Sequence, residues 1–143
     1  VFLSGGYDST AVASILQSDR SSKISTFTIG FTEGNDEAPF ARETARRLGT
    51  DHHELYCSER EAQEVIPELA TVFDEPFADS SAMPTYRVCE AARRRVTVAL
   101  SGDGGDEHFA GYRRYRWHIN EEQLRSRLPL SLRRAVFGRL RRW

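Results

Sequence analysis

Two stretches of the chain hold most of the residues able to do chemistry: LSGGYDST, Leu3 to Thr10, and SGDGGDE, Ser101 to Glu107. In the first, the adjacent Gly5 and Gly6 are costly in regular structure, so the bare backbone points to a tight turn or a close approach to a ligand. The N–H groups of such a turn, together with the start of a following helix, attract an anion. Ser4, Ser9 and Thr10 add hydroxyl donors. Asp8 repels a phosphate by itself but makes sense as a ligand to Mg2+, which bridges carboxylate and phosphate. The set suits a pyrophosphate with its magnesium. It is neither the GxxxxGK[ST] loop nor the GxGxxG dinucleotide fingerprint. Taken alone, a capped turn entering a helix is the alternative.

The second stretch puts three glycines and three carboxylates into seven residues. The alternating ligands and terminal Glu of an EF-hand calcium loop are missing. A solvated acidic turn does not explain why it follows so apolar a run as VTVAL. If the two loops converge, Asp106 can join Asp8 on one magnesium or hold a second. Asp103 and Glu107 are then free for a proton, an amine or an arginine such as Arg113. The pair is far more specific than either loop.

Short apolar runs alternate with longer helical ones. Strands are expected at Val1–Leu3, Ile24–Ile29, His52–Cys57 and Val96–Leu100. Helices are expected over Ser9–Gln17, Glu37–Leu48 (closed by Gly49), Glu59–Phe73 (capped by Ser58) and Pro84–Arg95, with a loop over Asp74–Pro84. Apart from Thr97, VTVAL has no polar face, as in a parallel sheet covered by helices on both sides. The fold class is therefore α/β, a doubly wound, mostly parallel sheet. In such sheets ligands bind beyond the carboxyl ends of the strands, which is where both glycine-rich stretches fall.

The composition, 39% hydrophobic and 29% charged over 143 residues, is ordinary for one soluble domain. No apolar run approaches the roughly 20 residues of a membrane span, and no signal peptide opens the chain. Cys57 and Cys89 match no metal spacing and read as reduced thiols of a cytoplasmic protein. Residues 112–143 carry ten Arg against two Glu, while the first 111 carry ten basic and nineteen acidic residues. Nucleic acid or membrane lipid is one reading of that basic end. The favoured one is a solvated amphipathic helix docking on an acidic neighbour, with Leu124, Leu128, Leu130, Val136 and Leu140 at helical spacing. Val1-Phe2-Leu3 reads as the end of a buried strand and Arg141-Arg142-Trp143 as an arbitrary stop, so a fragment of a larger protein is expected.

LSGGYDST resembles the SGGxDS loop of the ATP pyrophosphatase (PP-loop) superfamily. LSGDGGDEHFAGYRRY, from Leu100, resembles the second signature of its asparagine synthetase branch. DEPFADSSAMPTY (Asp74–Tyr86) and the LGTDHHEL run from Leu48 are similar to that branch too. The likeness covers residues 1–116, a PP-loop core, and leaves 117–143 as an Arg-rich helical extension.

The resemblance implies a ligase that splits ATP between its α- and β-phosphates. The side-chain carboxylate of aspartate attacks the α-phosphorus to give β-aspartyl-AMP and pyrophosphate, and ammonia then displaces AMP. By similarity, Ser4, Gly5, Gly6, Asp8 and Ser9 hold pyrophosphate and Mg2+. Leu3 and Ile29 flank the adenine, with backbone groups reading its edge. Ser101 and Gly102 lie near the ribose, α-phosphate or acyl group. Asp103 stands where relatives keep a carboxylate near the acyl-adenylate, though some have Glu there. Asp106 matches the second metal-linked carboxylate, and Ser80, Ser81 and Thr85 lie where the amino-acid substrate is expected. The partners implied are aspartate and glutamine-derived ammonia, with neither membrane nor nucleic acid, and a homodimer is left open.

Two family features are missing from this stretch: the glutaminase domain with its N-terminal cysteine, and a downstream lysine that stabilises pyrophosphate. Lys23 precedes a strand on the far side, and Arg113 or Arg114 is the local substitute. The piece is expected to hold the nucleotide site yet catalyse poorly or not at all alone. A β-lactam synthetase-like or peptide cyclase-like adenylase would share these loops. A non-catalytic nucleotide-sensing or nucleic-acid module is the remaining alternative, and intact Asp8, Asp103 and Asp106 argue against it. Asp74 and Glu75 either face the cleft or cap their loop. His52-His53-Glu54 looks like a metal cluster, but neighbours on a strand point to opposite faces, so a structural role is favoured. Tyr112, Tyr115 and Trp117 read as packing residues rather than a stacking strip for bases.

Overall fold

A computed structural model of the protein describes residues 1–34, 36–75 and 78–133. The chain divides into two compact units, Val1–Asp103 and Gly104–Trp143.

The first unit is built on a parallel sheet. Residues 1–3 run beside strand β1 (Ser25–Phe31). The Leu3 N–H donates to the Phe27 carbonyl at 2.8 Å, and the Phe27 N–H to the Val1 carbonyl at 2.9 Å. On its other side β1 pairs in parallel with β2 (Asp51–Cys57), Ser25 opposite Asp51 and Phe31 opposite Cys57. Alternation along the strands then fills two cores. Val1, Leu3 and Ile24 pack with Ala13 of helix α1 (Tyr7–Ser18) and with Ala41 and Ala45 of α2 (Ala38–Leu48). Phe27 packs with Val88 and Ala92 of α5 (Ala82–Arg93), with Phe2, Ile29 and Val96 against them. Helices thus cover both faces of a parallel sheet, the α/β arrangement expected.

Val1–Leu3, expected as a strand, makes a single isolated bridge, Phe2 to Phe27, beside the two-stranded sheet, and two further expectations change. The helix expected over Glu59–Phe73 is two helices, α3 (Glu59–Gln63) and α4 (Ile66–Val72). Pro67 is the cause: it has no N–H, and its ring clashes with the carbonyl four residues back, that of Gln63. Ser58 does cap α3, in a reciprocal box with Glu61. The second change concerns Val96–Leu100, which is not a strand. The Leu100 carbonyl accepts from the Phe2 N–H at 2.8 Å, which seats the segment beside residues 1–3. Val98 is 77% exposed, however, rather than buried on both faces. One backbone bond fixes the end of the segment without making a ladder.

The second unit holds α6 (Gly105–Phe109) and α7 (Arg113–Ser126). Tyr112 and Tyr115 pack edge to face at 5.7 Å, and the Arg114 guanidinium sits 4.1 Å over the Tyr112 ring. Trp117 does not join them; it is exposed, contrary to the packing role expected. Leu124 and Leu130 are exposed as well, and Val136 and Leu140 lie outside the described residues. Among the described residues no helix is long and apolar enough to cross a membrane.

Candidate functional site

The first loop leaves the sheet at Leu3 and enters α1 at Tyr7. Gly5 takes a positive φ of +82°, a conformation a side chain resists. Gly6 is the N-cap of α1, in extended conformation, and no side chain caps the helix. The opening amides of a twelve-residue helix therefore keep their hydrogen-bonding capacity and their partial positive charge. Around them Ser4 and Ser9 form a small polar knot. Their hydroxyls are 3.0 Å apart, the Ser4 N–H donates to Ser9 Oγ at 3.2 Å, and the Gly6 N–H donates to Ser4 Oγ at 3.2 Å. Asp8 lies in the first turn of α1 and is half-buried.

The second loop reaches the first at one point. A Cβ on Gly102 would lie 2.7 Å from the Ser9 backbone nitrogen and 3.0–3.1 Å from the Asp8 carbonyl carbon and Cβ. The bare Gly102 backbone therefore rests directly on the first turn of α1. Its neighbours Ser101 and Asp103 are exposed there, with the Asp103 N–H donating to Ser101 Oγ at 3.3 Å. Gly102 is thus the residue of the second stretch that lies against Asp8 and Ser9 of the first.

Asp106 belongs to the second unit and opens α6. Gly104 takes φ +89° ahead of it. The Asp106 carboxylate lies against Gly111, where a Cβ would overlap it, and the Gly111 N–H donates to the Asp106 carbonyl at 3.0 Å. Glu107 accepts from the Tyr112 hydroxyl at 2.7 Å, which holds its carboxyl below the usual range. That bond occupies a group the sequence left free for a proton, an amine or an arginine such as Arg113.

Leu3 is 2% exposed and sits in the α1–α2 core, whereas Ile29 packs on the α5 side. Their side chains thus lie in different layers, and backbone is what they present at the sheet edge. Ser80 and Ser81 stand at the exposed start of α5 and Thr85 on its first turns. The Ser81 N–H donates to Asp79 Oδ1 at 2.8 Å. Asp74 and Glu75 are exposed, and Pro76 and Phe77 lie outside the described residues.

His52 and Glu54 point to one face of β2 and His53 to the other. His52 Nδ1 lies 2.9 Å from the buried Thr26 hydroxyl, which in turn meets Thr50 Oγ1 at 2.9 Å. His52 Nε2 is buried without a hydrogen-bond partner, 3.7 Å from Glu54, and burial pulls the ring's pKa down. His53 stacks on Phe27, with ring centroids 5.2 Å apart. Among the described residues no group of His, Cys, Asp and Glu is placed to hold a metal ion by itself. A magnesium held by one carboxylate, with phosphate oxygens and water completing the shell, needs no such group. The donor set fits that mode: one half-buried aspartate on a glycine-built turn with uncapped amides. Cys57 and Cys89 are both free.

The family model described as asparagine synthase matches residues 1–142. The chain belongs to the asparagine synthase family. A relative in Methanocaldococcus jannaschii, named a putative asparagine synthetase [glutamine-hydrolyzing] 2, is 47% identical over 112 residues, covering 78% of this chain and 22% of that protein. Asparagine synthetase [glutamine-hydrolyzing] 1 of Bacillus subtilis is 39% identical over 136 residues, covering 94% of this chain and 21% of its own length. A more distant relative, amidase chyE of Penicillium rubens, is 31% identical over 138 residues, covering 85% of this chain and 20% of its own. The chain spans about a fifth of the length of these relatives.

Some residues that shape the site gave a weaker signal in sequence. Gly30 lies at the end of β1, where a Cβ would meet the Tyr56 ring at 2.7 Å, Asp36 Oδ1 at 2.9 Å and Ala38 Cβ at 3.0 Å. Asp36 accepts from the Ala38 N–H at 3.0 Å at the start of α2. An Asp just ahead of Ala38-Pro39 is a helix-start signal that could have found it. No local signal exists for Phe40 and Ala41, which border Gly5 across a long stretch of chain.

Proposed function

We propose that this chain is the ATP-splitting part of an enzyme that forms an amide from aspartate and glutamine-derived ammonia in the cytoplasm. What carries the reading is the seat of Gly102 on the first turn of α1, which puts a second polar loop beside an uncapped helix start. Ser4, Gly5, Gly6 and Ser9 would hold pyrophosphate, with Leu3 and Ile29 contributing backbone at the adenine. Asp8 would hold magnesium, and Asp106 is the second carboxylate that the resemblance assigns to it; the metal would supply charge neutralisation between anionic nucleophile and anionic leaving group. The carboxylate oxygen of aspartate forms a bond to the α-phosphorus, the α–β bridge breaks and pyrophosphate leaves. Ammonia then attacks the acyl carbon, AMP departs and the surplus ammonium proton is released. Ser101 and Gly102 would border the transferring group, and Asp103 would accept that proton. Ser80, Ser81 and Thr85 are the proposed amino-acid contacts.

The test is ATP–pyrophosphate exchange by the whole protein with a panel of carboxylic acids. Aspartate should stimulate exchange at least tenfold over background. Stimulation by a different acid alone would overturn the substrate and favour another amide-forming adenylase, a second reading kept open by the likeness to an amidase. Asp8→Asn should raise the magnesium concentration for half-maximal exchange at least tenfold, the scale on which a lost site interaction weakens metal binding.

A further inference from the structure

His52-His53-Glu54 is the motif that the proposed reaction leaves without a task, and Glu54 leads from it back to the phosphate loop. Arg42 on α2 donates from Nε to Glu54 Oε1 at 2.7 Å and from Nη2 to Glu54 Oε2 at 2.5 Å. The same Nη2 donates to the Tyr56 hydroxyl at 3.2 Å. This paired fork fixes direction as well as distance. Arg42 follows directly on Phe40 and Ala41, the residues against which Gly5 rests. A Cβ on Gly5 would come within 2.8 Å of Phe40 Cβ and 2.9 Å of the Ala41 nitrogen. At the other end of the same turn, the Tyr56 ring, the Asp36 carboxylate and Ala38 close over Gly30. The start of α2 is therefore gripped by β2 on one side and forms the wall of the loop on the other.

We propose that Arg42, Glu54 and Tyr56 form a clasp that positions the loop Ser4–Ser9 by fixing the first turn of α2. None of the three touches the nucleotide; they are positioning residues. The inference rests on the reading of that loop as the pyrophosphate cradle. Arg42 is more than half exposed although Glu54 is largely covered; a pair with one partner in solvent adds little to global stability, and thermal unfolding of each variant separates its effect on the loop from an effect on folding.

The experiment is calorimetric titration of Mg-ATP and of Mg-pyrophosphate into the whole protein, with exchange kinetics and thermal unfolding alongside. Arg42→Ala and Glu54→Gln should each raise the dissociation constant for both ligands about 5–20-fold. They should leave the KM for the acid within twofold and the unfolding temperature nearly unchanged. Arg42→Lys, which keeps the charge but loses the fork, should fall between, and Tyr56→Phe should weaken binding two- to threefold. Reversing the pair, Arg42→Glu with Glu54→Arg, should recover most of the affinity. Unchanged affinity in the single variants, or a loss that follows the unfolding temperature, would overturn the clasp. If the unmodified protein binds Mg-ATP but aspartate does not stimulate exchange, the proposed reaction falls and the clasp stands. If it binds neither ligand, both fall.

Discussion

Gly5→Ala should abolish ATP–pyrophosphate exchange and lower the stability of the first unit by about 2–5 kcal/mol, for two separate reasons. The backbone at Gly5 has φ +82°, and an L-residue with a Cβ pays roughly 1–2 kcal/mol to adopt the left-handed region. The second reason is space. The new Cβ would sit 2.8 Å from Phe40 Cβ and 2.9 Å from the Ala41 nitrogen and the Phe40 carbonyl carbon. Two of those neighbours are backbone atoms of α2, so no rotamer change relieves them. Overpacking of this kind costs about 1–3 kcal/mol. Relief requires the loop and α2 to part, which moves Ser4 and Ser9 out of the arrangement that holds their hydroxyls 3.0 Å apart. Urea unfolding followed by circular dichroism reads the first effect, and exchange reads the second. Gly49→Ala is the control. Gly49 has φ +72° at the end of α2 but open space around it, so it should show the conformational cost alone and keep exchange.

That contrast explains how much of the molecule was legible in the sequence. Gly49 announces itself locally, as a glycine closing an amphipathic run, and Ser58 does so through its spacing to Glu61. Gly5 and Gly6 announce an unusual turn, but not what presses against it. The wall is α2, more than thirty residues on in the chain, and its grip comes from β2. Pairings of that kind are fixed by topology rather than by spacing. The strand Ser25–Phe31 was readable because it carries its own apolar, β-branched pattern and ends near a glycine. VTVAL misled for the same reason: its pattern reports what the segment can bury, while Val98 stands exposed and only Leu100 is tied to Phe2. Glu54 was hidden behind its neighbours. Beside two histidines it resembles part of a metal cluster, strand alternation favours a structural role instead, and only the fold shows that role to be an arginine's partner.

Gly102→Ala should isolate the meeting of the two loops, because strain in the backbone does not enter. Gly102 has no positive φ, so alanine is conformationally acceptable there and only the space is wanting. The added Cβ would approach the Ser9 nitrogen to 2.7 Å and the Asp8 carbonyl carbon to 3.0 Å. These atoms belong to the first turn of α1, which is held from below by Ala13 in the core and cannot sink. The second loop, exposed at Ser101 and Asp103, is the part able to give way. It should lift by several tenths of an ångström to about 1 Å, carrying Ser101 and Asp103 with it. A displacement near 1 Å from the productive geometry costs on the order of 100-fold in rate. The expected result is therefore a fall in exchange of about 100-fold, with Mg-pyrophosphate affinity within about threefold of the unmodified protein, since the first loop keeps its place. Stability should drop by only about 1–2 kcal/mol, the lower part of the overpacking range, because the displaced segment is bound to the sheet by a single hydrogen bond at Leu100. If pyrophosphate binding is lost as fully as exchange, the clash is being relieved by movement of α1, and Ser101–Asp103 has no separate part in the chemistry.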